Sequence, residues 1–438
     1  MSKIDELTNE ASAMQKPVSD IAERGGSGAI AQLIQQYCPH GVEYRPIWSL
    51  TAWDKKFNGV EKSKQTKVIK YNYLLAADLK SYQVENGTVK LLTTNISNLY
   101  TTEELSDGLA SDGEVVAIPW GGNPIVQYYK GRFLTADNRI ATSLDTNILN
   151  NKFLYYCMLS QMKLIASFYR GSGIKHPEMS KVLDLEIPLP PLPVQEAIVN
   201  ILDRFAVYAA ELQAELQARQ QQYQYYRDTL LSFEGRDDVQ WKKLGEVGTE
   251  WYRGAGIKRD EVSDEGTPCI RYGEIHTTYN IWFDECVSHT DESKQPAKKY
   301  ADHGDILFAI TSEDIPFVGN SVAYLGKERI MVGGDIVVMK HDQNPKYMSY
   351  VLSTSNAIMQ KGKGKVKSKV VHTNVPSLQE IVVPIPSLEE QRRIADILDN
   401  FHTLTNDLSQ GLPAEIEARQ QQYEYYRDQL LTFKRKEA

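Results

Sequence analysis

Five lysines alternate with other residues near the end of the chain. Lys361, Lys363, Lys365, Lys367 and Lys369 are interleaved with Gly362, Gly364, Val366 and Ser368. Ammonium groups on a glycine-rich loop suit phosphate oxygens, in contacts that position a polyanion without specifying it. The competing reading is a solvated charge run. A second loop of this kind, Arg170-Gly171-Ser172-Gly173-Ile174-Lys175-His176, is less charged. Its backbone NH groups and Ser172 could hold a phosphate, or its glycines could simply cap a helix.

Other chemistry is hard to place. There is no GxxxxGK[ST] nucleotide loop. Asn344-Pro345-Lys346-Tyr347 has the outline of an adenine-methyltransferase Asn-Pro-Pro-Tyr, but its third position is wrong, and no glycine-rich cofactor loop follows an N-terminal strand. It reads as a turn that caps the next helix. The eight histidines are dispersed and pair with no serine or carboxylate in a recognisable order. No catalytic residue, metal or bound S-adenosylmethionine is therefore expected in this chain. The cysteines, Cys38, Cys157, Cys269 and Cys286, show no CxxC spacing, which points to a reducing, cytoplasmic setting. No signal peptide or membrane span is expected. With 438 residues, 42% apolar and 24% charged, the chain should form two to four globular domains. Its net charge of −8 means that any nucleic-acid binding must rest on local basic patches.

The elements that must position these residues come in duplicate. Ala218-Arg219-Gln220-Gln221-Gln222-Tyr223-Gln224-Tyr225-Tyr226-Arg227-Asp228 returns at 418–428 with one change, Gln224 to Glu424. A long repeat of this kind marks a duplicated unit. Residues 1–41 read as an N-terminal arm and short helix, with helical turns over 29–37. Between 42 and 187 the pattern is mixed: strands at 115–118 and 125–129, a loop at 120–124, a turn at Lys130-Gly131 and a helix over 151–169. Ile187-Pro188-Leu189-Pro190-Pro191-Leu192-Pro193 is an extended bridge. A helix free of Gly and Pro then runs from Val194 to Phe233, about 60 Å at about 1.5 Å per residue. The second half repeats the plan, with a domain at 237–383 and a bridge and helix at 384–438. Gly304 to Ile310 parallels Gly113 to Ile118, and Tyr347 to Gln360 parallels the helix at 151–169.

Both helical arms carry a heptad seam. In the first it is Leu202, Phe205, Ala209, Leu212, Leu216, Arg219, Tyr223, Tyr226, Leu230 and Phe233. The second, from Leu398 to Phe433, has one extra step of four at Gly411-Leu412-Pro413. Such a step is a stutter, and with glycine and proline there it predicts a break and restart, with Pro413 in the first turn of the new helix. The simplest closure lays the second arm antiparallel to the first and returns it to the first domain. The fold class is α+β: two mixed α/β globular domains separated by two long antiparallel coiled-coil helices, in a pseudo-twofold internal repeat.

This architecture resembles the specificity subunit of type I restriction–modification enzymes. The likeness covers residues 33–433. It rests on the proline bridges ending in Gln195 and Gln391, the repeated Ala-Arg-Gln-Gln-Gln-Tyr stretch, Gly411-Leu412-Pro413-Ala414-Glu415-Ile416 and Gly304-Asp305-Ile306-Leu307-Phe308-Ala309. The resemblance implies that each globular domain is a target recognition domain reading half of a split double-stranded DNA site. The helices would be spacers. Two methyltransferase subunits, which bind S-adenosylmethionine, and two motor–nuclease subunits would be the partners. It also gives the tetrads Ala209-Ala210-Glu211-Leu212 and Gln213-Ala214-Glu215-Leu216 a meaning as spacer units, beyond ordinary helix propensity. Candidate DNA contacts are then Arg170, Gly171, Ser172, Gly173 and Lys175; a group after the first domain's central strand, Trp120, Asn123, Tyr128, Lys130 and Arg132; Thr311 and Ser312 in the second domain; and the five lysines above. The aromatics could instead be core. A protein-binding scaffold and a fused DNA methyltransferase remain the alternatives.

Overall fold

A computed structural model of the chain describes residues 27–233, 235–363, 365, 369–406 and 411–437. The arm expected at the N-terminus lies outside these residues up to position 26. The chain divides into two compact units: a first of residues 17–211 and 416–438, and a second that holds 212–415.

The first unit opens with helix α1 (Ser27–Tyr37) and strand β1 (Tyr44–Pro46). Its main sheet uses β2 (Thr51–Trp53), β3 (Val89–Leu92), β4 (Tyr100–Thr101), β5 (Ser111–Pro119), β6 (Gln127–Thr135) and β7 (Asn138–Ser143), in the order β2-β7-β5-β6-β3-β4. The apolar run Val115 to Ile118 makes β5 the buried centre. Lys130-Gly131, expected as a turn, runs inside β6. Gly131 lies opposite Gly113 of β5 and has φ +128, a conformation that glycine allows without ending the strand. The helix expected over 151–169 is two helices, α2 (Asn151–Ser160) and α3 (Met162–Ser167), and the chain then leaves as a strand. Asn150 caps α2 by accepting from the amides of Lys152 and Phe153. A hairpin of β8 (Tyr169–Arg170) and β9 (His176–Pro177) follows, so Gly171 to Lys175 is a hairpin loop and not a helix cap. Strand β10 (Glu186–Pro188) pairs with β1.

Helix α4 (Leu192–Leu230) is one unbroken element. It starts two residues earlier than expected and ends three earlier, because Phe233 turns to φ +47. Every expected seam position along it is buried or half-buried. Residues 192–211 belong to the first unit, where Phe205 packs on Tyr423 and Tyr426 (5.5 Å for the latter) and Arg419 lies over Tyr208. As one index rises the other falls, so the two segments run antiparallel. The chain's end then joins the first domain. The amide of Val42 donates to the Lys434 carbonyl (2.8 Å), and that of Lys436 donates to Val42 (2.9 Å). The hydroxyl of Tyr44 donates to the Phe433 carbonyl at 3.1 Å.

In the second unit, residues 212–230 of α4 lie along a later helix, with Tyr223 on His402 and Tyr226 on Phe401, again antiparallel. The globular part runs β11 (Gln240–Lys243), β12 (Gly248–Arg253), β13 (Val262–Ser263), β14 (Thr267–Ile270), β15 (Trp282–Phe283), β16 (Ser288–Thr290), β17 (Tyr300–Ala301), β18 (Ile306–Ala309), β19 (Thr311–Ser312), β20 (Ser321–Tyr324), β21 (Ile330–Val332) and β22 (Ile336–His341). Helices α5 (Pro345–Leu352) and α6 (Ser355–Gly362), strands β23 (Val371–His372) and β24 (Val382–Ile385), and helices α7 (Leu388–Asn406) and α8 (Gly411–Leu430) complete it, the later part of α8 belonging to the first unit. Asn344 caps α5 by accepting from the amide of Tyr347, and Pro345 stands at its start. Pro413 lies in the first turn of α8, as the restart requires.

The sheet order β12-β22-β18-β20-β15 repeats β2-β7-β5-β6-β3, including the parallel pairing of the fifth strand. A second sheet, β13-β16-β14-β21-β17, belongs to the second unit. The bridges explain why their letters recur. Gln195 and Gln391 are fully buried. Gln195 accepts from the amide of Asn150 (2.9 Å) and donates to the carbonyls of Pro190 and Ile148 (2.8 Å each). Gln391 accepts from the amide of Asn344 (3.0 Å) and donates to the Pro386 carbonyl (2.9 Å) and to Gln343 Oε1 (2.8 Å). One amide side chain thus ties the bridge to the residue capping α2 or α5. Asp203 accepts from Tyr156 and Lys152, and Asp399 from Tyr350 and Lys346, fixing the same helix pairs.

Candidate nucleic-acid interface

In each unit one end of the sheet collects candidate residues. In the first unit it is where β2 and β5 end and β7 begins, since Pro119 pairs with Asn138 and Asp54 follows β2. Trp120 leaves β5 there. The Arg139 guanidinium stacks 4.1 Å above its ring, and His176 lies 5.2 Å away. The Trp120 carbonyl is 2.6 Å from His176 Nδ1, and the Gly122 amide donates to the Lys175 carbonyl at 3.1 Å. Two loops about fifty positions apart in sequence are thereby brought together: Trp120 to Asn123 with Gly171 to Lys175. Arg170, Gly171, Ser172, Gly173, Lys175 and Asn123 are all exposed.

Beneath them Arg139 and Asp54 are both buried, 3.8 Å apart, and Asp54 accepts from the Ile140 amide. Burial raises the Asp54 carboxyl and lowers the Arg139 guanidinium, outweighing their mutual attraction. This pair supports Trp120 from below. Arg139 was not among the sequence candidates, and it stands outside any motif.

Of the remaining candidates, Tyr128 stands one residue inside the start of β6, and Lys130 and Arg132 lie farther along it. β6 runs back along β5, so Lys130 lies opposite Glu114 and Arg132 opposite Asp112, toward the start of β5. Lys130 pairs with Glu114 (3.5 Å) and Arg132 with Glu103. Tyr128 donates to Glu114 (2.7 Å) and packs on Tyr155. Nearness in sequence had grouped residues that the hairpin carries to opposite ends of the sheet.

In the second unit the equivalent end is where β18 stops. Thr311 and Ser312 are buried there, paired with His372 and Val371 of β23. The Thr311 carbonyl lies 3.0 Å from His276 Nε2, and its hydroxyl 3.2 Å from His372 Nδ1. They brace the segment; Glu313 and Asp314, just beyond, are the exposed residues. The lysine series is split. Helix α6 continues through Gly362, so Lys361 points inward, 6% exposed, and donates to the Leu352 carbonyl at 2.7 Å. Burial pulls its ammonium down to about 7. It is not placed to touch a phosphate. Lys363 and Lys369 are exposed and Lys365 half-buried, while Lys367 lies outside the described residues.

The same end carries a basic cleft that sequence grouping missed, formed after β12 by Arg253, Lys258 and Arg259 together with Arg271. The visible signal was Arg253-Gly254-Ala255-Gly256-Ile257-Lys258-Arg259, a glycine-basic run directly behind a strand. Among the described residues, no group of three or more His, Cys, Asp or Glu is placed to hold a metal ion, and no helix is long and apolar enough to cross a membrane.

Comparison with known proteins bears on this geometry. The family described as type I restriction modification DNA specificity domain matches residues 55–219 and again 236–418. The EcoR124I/EcoR124II specificity subunit of Escherichia coli is 32% identical over 68% of this chain and 75% of its own length. A putative type I specificity subunit of Haemophilus influenzae is 32% identical over 76% and 86%. Among solved structures, the S subunit of a type I restriction–modification system from M. genitalium superposes with a TM-score of 0.52 at 17% identity, covering 89% of this chain and 96% of that one, which is a likeness of fold. A twice-matched family and relatives above 30% identity leave one assignment: the chain belongs to the type I restriction–modification specificity subunits, the non-catalytic subunits that confer DNA sequence recognition.

Proposed function

We propose that the chain reads a two-part, asymmetric DNA site, one half with each globular domain, residues 42–187 and 237–383. The observation that carries this is the duplicated frame holding unlike loops. The same strand order and the same buried glutamine recur, while the segments after the central strand differ, Trp120-Gly121-Gly122-Asn123 in one domain and Thr311-Ser312-Glu313-Asp314 in the other. Two equal mounts with different readers suit two different half-sites. The helical spans set the gap between the halves. Adenine methylation, with its S-adenosylmethionine, belongs to two methyltransferase subunits, and cleavage to two motor–nuclease subunits. A DNA substrate of this kind places the complex in the cytoplasm.

The test is genome-wide mapping of methylated adenines in cells that express the chain with its methylating partner. The expected motif has two unlike halves and an unread gap. A continuous motif, or none, rejects the reading in favour of a scaffold. Inserting one tetrad after Leu216 adds about 6 Å of helix. That corresponds to one or two base pairs at about 3.4 Å each. The gap should widen while both half-sites stay the same; altered halves with an unchanged gap would refute the spacer role.

A further inference from the structure

The cleft behind β12 has a volume of about 350 Å³. Gly256, Gly333 and Gly334 give it a stretch of bare backbone beside Ile257 and Tyr272. A Cβ on Gly254 would meet the Gly333 carbonyl oxygen, and one on Gly334 would come within 3.2 Å of Gly256. Arg253-Gly254-Ala255-Gly256 and Gly333-Gly334-Asp335 therefore lie directly against each other. Hydrogen bonds from Ala255 N to Val332 O and from Gly333 N to Ile270 O, both 2.9 Å, fix them there. Along the glycine stretch no side chain keeps a tetrahedral anion away from the backbone.

The rim is cationic. Arg253, Lys258, Arg259 and Arg271 line the cleft together with a single carboxylate, Asp335. Asp335 is taken up by Arg253 at 2.6 Å. Lys258 reaches Glu261 at 3.6 Å from a largely exposed position. Among the described residues no ion pair involves Arg259 or Arg271. A surplus of positive charge therefore converges on a small concave site in a chain whose net charge is −8. Such a focus attracts anions. Guanidinium forks also match phosphate oxygens in geometry. The location is informative too. The Asp335 carbonyl accepts from the Ile310 amide at 3.0 Å, immediately before Thr311, so the cleft adjoins the sheet end where β18 stops and β19 pairs with β23.

We propose that this cleft clamps a backbone phosphate of DNA, with Arg259 and Arg271 as the ligating cations and Arg253, held by Asp335, as their frame. It rests on the reading of the second globular domain as a DNA reader. A clamp of this kind sets register and orientation and carries no sequence information.

The experiment measures affinity of the full chain, assembled with its methylating partner, for random-sequence duplexes and for duplexes carrying the mapped motif, as a function of salt. R259A/R271A should lower the slope of log K against log[salt] by about 1.8, for two phosphate contacts at about 0.9 each. At 0.15 M salt this corresponds to a loss of roughly 30-fold, equal on both duplex sets. R259K/R271K should restore most of the slope, and the exposed single variant R259E should weaken binding with an unchanged unfolding midpoint. An unchanged slope in R259A/R271A overturns the clamp, as does a changed methylation motif, which would make the cleft a base reader. Inorganic phosphate is the separate arm. If it protects the wild type against thermal unfolding at low concentration while the variant's DNA slope is normal, the cleft serves a free anion and the proposal fails. Failure of the functional reading shows elsewhere, as a wild-type complex that methylates no two-part motif.

Discussion

Gln195 and Gln391 occupy the same place in two units and make the same kind of bonds, whereas the segments behind β2 and β12 share a place and nothing else. Behind β2 the chain continues Asp54-Lys55-Lys56, with Asp54 buried under Arg139 and Trp120. Behind β12 it continues Gly254-Ala255-Gly256 and forms an open basic cleft. The first solution supports an aromatic ring on a buried ion pair. The second leaves bare backbone and, among the described residues, two guanidinium groups, Arg259 and Arg271, outside any ion pair. Duplicated interior bonds fix where each domain stands on its helices, which leaves the far end of each sheet free to diverge.

If the two frames are equivalent, equal damage should follow from equal lesions. Gln195→Leu and Gln391→Leu each strand a buried proline carbonyl, a part-buried backbone amide and a second, part-buried oxygen. Each should cost about 3 kcal/mol or more, at about 1–3 kcal/mol per unsatisfied group. Calorimetric unfolding checks this, and a large cost at one position with none at the other would break the equivalence.

Lys361 separates the units next, because this buried lysine belongs to the second. Its folded-state value of about 7 lies below the ordinary lysine value of 10.5. Between these two values the unfolded chain holds a proton that the folded chain lacks, so stability rises with pH through that window. The slope is bounded by about 1.4 kcal/mol per pH unit. Lys361→Met should raise stability at pH 7 and remove this rise, measured by denaturant unfolding at pH 7, 8 and 9, and it should leave the salt dependence of DNA binding intact. A pH profile identical to that of the wild type would mean that Lys361 is solvated.

The carboxylate anchors should show a smaller asymmetry. Asp399 accepts from Tyr350, Lys346 and Trp282 and is 20% exposed; Asp203 accepts from Tyr156 and Lys152 and is 32% exposed. Asp399→Asn should therefore cost about 2 kcal/mol and Asp203→Asn about 1 kcal/mol. The reverse order in thermal unfolding would show that the indole contributes nothing.

What the sequence disclosed divides along the same line. The seam and the two bridges were legible because each is local and occurs twice, and the helix start with Pro413 in its first turn was legible from the glycine and proline there. The sheet ends were not, because they are assembled from distant segments. Gly254 meets Gly333 and Trp120 meets His176 only once the strands pair. Alternation misled at Lys361, where one further turn of α6 carries a lysine of a loop-like run into the core. Proximity misled at Lys130 and Arg132, where a glycine with φ +128 kept a strand going through an expected turn. In both places the local pattern was compatible with two courses of the chain, and packing chose between them.

The smallest effects concern the exposed loops, where the units differ in charge. Lys363 and Lys369 of the second unit are exposed, and Lys175 is the exposed lysine on the hairpin loop of the first. If each touches one phosphate, Lys363→Ala with Lys369→Ala should lower the salt slope by about 1.8, and Lys175→Ala by about 0.9. Neither change should alter the methylated motif, since phosphate contacts position the protein without reading bases. A motif change on one side only would move that loop from the positioning surface to the reading surface. An unchanged slope on one side would assign that half-site's phosphate contacts to other cations: on the second unit the cleft arginines, and on the first the exposed lysines that follow β2, Lys55 and Lys56. The loops behind the first strand of each sheet, rather than the glycine loops, would then carry the electrostatics of both domains.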